Sequence, residues 1–245
     1  MYMKSLDYKM IGVEHNIPYV DMDRYIDTER FLSLSEEICK GISKSALHYS
    51  NPGNRTYPLE NGCELETPWT AEQEYSDIIK GMNDYEKRVF LKYYKKVLYS
   101  TSGVFIKKHK GYLNKHLDEY SELTENAKYF PKFLEYVNDL PFEQTGRIFI
   151  FLQDHFMPLV EHRDSMNDDY TGELTDFLWF TIDRNAMKFF IRDDNMNKHY
   201  VKSTCAWFNE NNRHGSDGVD AATFCIRIDG VFNKEFKQQV LNDLK

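Results

Sequence analysis

Three residues of metal-binding type stand out by their spacing: His162 and Asp164 within His162-Arg163-Asp164, and His214 downstream. In an extended segment the side chains alternate with a period of two, so His162 and Asp164 project to one face and Arg163 to the other. A second imidazole arriving from a distant strand completes a set of two histidines and one carboxylate. Such a set takes three positions around Fe(II) and leaves the others open for substrate and O2. Arg227, thirteen positions after His214, adds a planar fork of donors that matches a carboxylate in two parallel, charge-assisted hydrogen bonds. A guanidinium on a following strand is what a dicarboxylate co-substrate needs.

Strands must position these residues, and the chain changes texture near residue 140 to supply them. Residues 147–153 (RIFIFLQ) form a short apolar run before the His162 segment. Residues 177–182 (FLWFTI), 188–192 (KFFIR), 200–208 (YVKSTCAWF) and 222–228 (ATFCIRI) repeat that texture, with Asp, Asn and Gly clusters between them. Many short strands separated by polar turns predict a sandwich or jelly roll. His214 falls beyond the far end of the 200–208 strand, and Arg227 lies on the next one. Asn233 is placed to cap a closing helix over 233–245, with Phe236, Val240 and Leu244 inward.

The first 140 residues read differently. Residues 11–67 look irregular, with strand-like fragments and a turn-rich loop at Asn51-Pro52-Gly53-Asn54-Arg55. Thr70 and Gln73 form a capping box that opens a helix over 70–99, whose Val89, Phe90, Tyr93, Tyr94, Val97 and Leu98 share one face. Residues 100–103 end it, and further helices are expected over 112–123 and 131–140. Lysines crowd this region, among them Lys87, Lys92, Lys107 and Lys108; a solvated helical face explains them better than an anion-binding patch.

The order H-x-D, distal His, then Arg resembles the core of the 2-oxoglutarate- and Fe(II)-dependent oxygenases, over about residues 146–232. The wording of that stretch is similar to oxygenase-like proteins of large bacteriophages, which resemble aspartyl and prolyl hydroxylases. The resemblance implies a mainly β fold with N-terminal and C-terminal helices around a double-stranded β-helix (jelly roll, cupin-like) core. The catalytic core would span 141–245, with a helical and irregular region, 1–140, packed on it as one unit. It further implies Fe(II) bound by His162, Asp164 and His214, with 2-oxoglutarate held by Arg227 and O2 as the oxidant. Hydroxylation of a protein side chain or small molecule would follow. A carboxylate at 164 favours this over halogenation, for which relatives keep that position small. One departure is Asp229, where many members carry Ser or Thr to share the co-substrate carboxylate. An anion there is expected to point elsewhere, with Thr223 or Tyr200 supplying the hydroxyl. Arg147 is a further candidate for the co-substrate, against a place at the rim.

Composition narrows the alternatives. With 245 residues, 41% hydrophobic and 15% aromatic, the chain can build a substantial core. A formal charge of −8 disfavours nucleic acid as a partner. No apolar run resembles a signal peptide or approaches a membrane span, so a cytoplasmic protein is expected, in the host cytoplasm if viral. Cys39, Cys63, Cys205 and Cys225 lack the paired spacing of a zinc knuckle and read as reduced thiols. His155 and His199 compete as ligands but lack a carboxylate or arginine at a suitable interval. Trp179, Phe189 and Trp207 suit either core packing or the walls of a site. Two other classes stay open: a cupin-like metal dioxygenase that does not use 2-oxoglutarate, and a non-enzymatic jelly-roll interaction protein. Oligomeric state has no signature in the chain.

Overall fold

Runs of aromatic and β-branched residues favour pleated, half-buried surfaces, and in the computed structural model they pair into two antiparallel sheets. The structure describes residues 17–46, 48–50, 56–58, 83, 85–86, 101–109, 121–153, 159–162, 176–182, 188–193, 195–210, 212–217 and 223–244. The strands in chain order are β1 (Val20–Asp21), β2 (His48–Ser50), β3 (Thr56–Pro58), β4 (Thr101–His109), β5 (Ser121–Leu123), β6 (Phe142–Gln153) and β7 (Leu159–His162). There follow β8 (Asp176–Thr181), β9 (Phe189–Arg192), β10 (Lys198–Tyr200), β11 (Cys205–Trp207), β12 (His214–Ser216) and β13 (Thr223–Phe232). Among the described residues, four α-helices flank them: α1 (Thr28–Ser33), α2 (Ser35–Lys44), α3 (Pro131–Asn138) and α4 (Lys234–Asp243).

The larger sheet runs β1-β11-β8-β13-β6-β4-β2-β3, with β5 on β4, and the smaller runs β10-β9-β12-β7. From β6 onward the chain passes back and forth between them. Strands β6, β8, β11 and β13 enter the larger sheet, while β7, β9, β10 and β12 enter the smaller. This winding is that of a double-stranded β-helix, in a mainly β protein with helices near both ends. Strand β1 pairs with β11 through Val20 and Trp207, which ties the N-terminal part to the same sheet.

At β8, β11 and β13 the larger sheet is buried on both faces. One face carries Ile150, Phe180 and Ile226, adjacent in register across three strands. The helices cover this face: Phe31 of α1 lies against Phe180 at 4.7 Å between ring centroids, and Tyr136 of α3 meets the same ring at 6.1 Å. Each such side chain taken from water contributes roughly 1.5–3 kcal/mol. Asp27 caps α1 by accepting from the Arg30 amide, and Asn233 caps α4 by accepting from the Phe236 amide at 2.8 Å. The Nζ of Lys237 donates to Asp176, which also accepts from the Phe232 amide, so α4 is pinned to the end of β8 and β13.

Several expectations need correcting. Residues 11–67 are not uniformly irregular, because α1 and α2 lie within them. Residues 101–103 open strand β4, and residues 121–123, expected to be helical, pair with β4 as β5. The apolar stretch 200–208 is two strands in two sheets: Tyr200 ends β10 and Cys205 opens β11. The break is made by Asp23, whose carboxylate accepts from the amides of Thr204 and Cys205 at 3.0 and 2.6 Å. The helix over 131–140 is observed as α3. The loop at 51–55 and, apart from Asn83, Tyr85 and Glu86, the helix over 70–99 lie outside the described residues.

Candidate active site

The second face of the larger sheet looks toward the smaller one, and β13 shows how it differs from the first. Thr223, Cys225, Arg227 and Asp229 alternate with Phe224, Ile226 and Ile228, and all are buried. Arg227 lies opposite Phe149 of β6 and Trp179 of β8. Trp179 stacks on Phe189 of β9, with 4.8 Å between centroids, so this face lines the cleft between the sheets.

Burying a guanidinium requires partners, because an unpaired charge out of water is strongly destabilising. Arg227, 4% exposed, has them: Nε donates to Asp229 Oδ1 at 2.7 Å, and Nη2 donates to Glu210 Oε2 at 2.5 Å. Its guanidinium carbon sits 4.1 Å from the centre of the Phe177 ring, a cation–π contact. The other oxygen of Asp229 accepts from Arg147 Nε at 2.9 Å. Asp229 therefore does not point elsewhere. It is fully buried and bridges two arginines, which removes the repulsion that an isolated anion would exert. Arg147 is buried in this bridge rather than at the rim.

Neither hydroxyl expected to assist Arg227 is placed to do so. Thr223 shares its face but stands four residues along β13, roughly 13 Å away at the usual strand rise. The Tyr200 hydroxyl is on an exposed residue and donates to Asp217 at 2.6 Å.

His214 opens β12 and is buried between Phe208 and Phe189, at 5.2 and 5.9 Å between ring centroids. Its Nδ1 lies 2.8 Å from the backbone carbonyl of Asn212. A carbonyl can only accept, so Nδ1 carries the proton and Nε2 the lone pair in the neutral ring, the arrangement found in metal-ligating histidines. His214 is the register partner of His162 across β12 and β7, with a bulge between His214 and Ser216. Asp164 and His155 lie outside the described residues. Among the described residues, no group of three His, Cys, Asp or Glu side chains could hold a metal ion.

His199 lies within β10, two strands away from His214. Its Nε2 is 2.8 Å from Asp193. That contact and hydrogen bonds from Asn197 hold the Asp193 carboxyl down to about 2. Cys225 shares the cleft face, but burial pushes its thiol up to about 12, which keeps it protonated and a poor ligand near neutral pH.

Glu210 is the residue that sequence reading missed. It sits in a polar turn, Asn209 to Arg213, which reads as solvated. The same part of the molecule contains two buried donors without a hydrogen-bond partner among the described residues, Trp207 Nε1 and Asn212 Nδ2.

No family model and no curated protein matches this chain. Solved structures that are similar include a prolyl-4-hydroxylase from Pseudomonas putida, at 9% identity and a TM-score of 0.33, covering 54% of this chain and 72% of that one. A 2OG-Fe(II) oxygenase family oxidoreductase from Burkholderia pseudomallei shares 9% identity with a TM-score of 0.35, covering 68% and 91%. A viral collagen prolyl hydroxylase from Paramecium bursaria Chlorella virus-1 shares 11% identity with a TM-score of 0.30, covering 61% and 92%. Superpositions at this level decide nothing about activity.

Proposed function

We propose that the protein is a non-haem Fe(II) oxygenase that couples oxidative decarboxylation of 2-oxoglutarate to hydroxylation of a protein side chain or small molecule. The observation that carries this reading is the backbone register pairing of His162 with His214, whose ring lies against Phe189, itself stacked on Trp179 beside buried Arg227. In this reading His162, Asp164 and His214 hold Fe(II). When bound, the metal supplies O2 activation at the positions the three ligands leave open.

The protein's part is orientation and exclusion of water. The Asn212 carbonyl holds the His214 ring in the tautomer whose Nε2 can bind metal. Arg227 receives the distal carboxylate of 2-oxoglutarate in charge-assisted hydrogen bonds. Asp229, shared with Arg147, fixes the guanidinium on its strand. Trp179, Phe189 and Phe208 wall the cleft with apolar rings, which limits water access. The test is anaerobic titration of the protein with Fe(II) and then 2-oxoglutarate, watching for the weak visible charge-transfer band of the chelate. A band supports the reading, and its absence together with no binding rejects both co-substrate and enzyme. A screen for substrate-stimulated succinate formation would then identify the substrate.

A second reading, a cupin-like metal dioxygenase without 2-oxoglutarate, draws support from one observation: Arg227 already contacts two carboxylates. Arg227→Ala separates the two readings. A large rise in the 2-oxoglutarate KM is expected only if Arg227 anchors it.

A further inference from the structure

The outer face of the smaller sheet carries an ion cluster close to the paired histidines in sequence and in register. Strand β7 ends that sheet among the described residues and pairs with β12 at His162 and at Leu159. Between these positions β7 advances through Val160 and Glu161, while β12 advances through Gly215 alone. Two residues against one is a β-bulge, which disrupts the ladder locally and re-aims a side chain. Backbone pairing alone therefore holds β7 weakly at the place where it delivers His162.

Glu161, next to His162, supplies what the ladder lacks. Its Oε2 accepts from Arg192 Nε at 2.7 Å, and its Oε1 lies 3.7 Å from Arg213 Nη1. Arg192 belongs to β9 and Arg213 directly precedes His214 of β12, so one carboxylate ties β7 to both neighbours. The arginines adjoin each other as well. The Arg192 amide donates to the Arg213 carbonyl at 2.8 Å, beside the register pair Ile191 and His214. Like charges on adjoining strands are destabilising, and Glu161 offsets both. Arg192 is fixed in advance: Nη1 donates to the Met196 carbonyl, and its guanidinium carbon lies 5.4 Å from the centre of the Phe190 ring.

Strand side chains alternate between faces, so this cluster and the His214 ring stand on opposite sides of one sheet. His214 looks into the cleft, against Phe208 and Phe189. We infer that Glu161 is a positioning residue for the metal site: by tying β7 to β9 and β12 through Arg192 and Arg213, it sets where the His162 backbone stands relative to His214. The inference rests on reading His162 and His214 as metal ligands. Glu161 itself touches neither metal nor substrate in this role. Its side chain is 23% exposed and that of Arg192 21%, so the pair contributes little to global stability. What it supplies is the placement of one strand.

The test is calorimetric titration with Fe(II) under argon of wild type, Glu161→Ala, Arg192→Ala and the double variant. Removing either side of the contact is expected to weaken Fe(II) binding about tenfold. The double variant is expected to bind no more weakly than the single ones, because all three lose the same contact. Unchanged affinity in Glu161→Ala, or losses that multiply in the double variant, overturns the inference and leaves the metal reading standing. Phe180→Ala, on the helix side of the larger sheet, controls for lost stability, and an equal loss of Fe(II) affinity there also overturns it. If wild type binds no Fe(II), the metal reading fails and takes this role with it. Hydrogen exchange on the metal-free proteins reads the clamp directly: amides of residues 159–162 are expected to exchange faster in Glu161→Ala, with β13 unchanged. Equal exchange over residues 159–162 overturns the clamp. Should Glu161→Ala fail to fold, Arg192→Lys, which keeps the charge and loses the planar fork, carries both measurements with the same expectations.

Discussion

The two faces of β13 share one strand, one register and nearly the same burial, yet their chemistry is opposite. On the helix side, Phe224, Ile226 and Ile228 pack in an apolar layer. On the cleft side, Arg227 and Asp229 are equally hidden and survive only because each charge has a partner in place. Burial alone therefore does not distinguish core from site here. What distinguishes them is whether a side chain needs a specific partner or only neighbours of the right shape.

Perturbing the two faces should accordingly give different signatures. The largest effect is expected from His214→Ala, on the cleft side, or from His162→Ala. Either should lower Fe(II) affinity by more than about 100-fold and abolish turnover, with circular dichroism and melting temperature close to wild type. Loss of the fold in both would make these residues structural.

Removing the shared carboxylate should affect both properties. Asp229→Ala leaves two buried guanidinium groups short of a partner and should cost about 3–5 kcal/mol, seen as a lower urea midpoint, together with weaker 2-oxoglutarate binding. On the helix side, Phe180→Ala should cost about 3–5 kcal/mol while leaving Fe(II) affinity unchanged. A metal defect in that variant would blur the division between the faces. Further from both, Asn233→Ala removes the α4 cap and should cost about 1 kcal/mol with no effect on binding.

The smallest effect concerns pH. Asp193 is held down to about 2, from an ordinary value of 3.8, first by His199 and then by Asn197. A depressed carboxyl stabilises the fold above its ordinary range, and that contribution fades as the pH falls from 3.8 toward 2. The stability gap between wild type and Asp193→Asn should close over that interval in acid unfolding curves.

Much of this architecture was legible because apolar runs mark strands: β6, β8, β9 and β13 fall where residues 147–153, 177–182, 188–192 and 222–228 predict them. The H-x-D spacing, the distal histidine and the arginine were legible as a constellation of types. The break between β10 and β11 was not, since Val201-Lys202-Ser203-Thr204 contains no Gly, Pro or Asn to announce it. Asp23 makes that break from 181 residues away. Helix α1 was readable in principle, with Asp27 as its cap and Phe31 and Leu34 at helical spacing before Ile38 in α2, but its six residues give little periodicity. Glu210 was unreadable, because a glutamate among asparagines looks solvated until Arg227 is known to lie beneath it. The pairing of Asp229 with Arg147 depends on two strands whose contact spans 82 residues.

The central claim is that His162 and His214, paired across two strands, hold a metal beside a carboxylate anchor. Anaerobic Fe(II) and 2-oxoglutarate titration of wild type and His214→Ala tests it most directly. The account predicts a visible charge-transfer band in wild type that needs both additions and is lost in the variant. A wild-type protein that binds neither, or a variant that keeps the band, would contradict it.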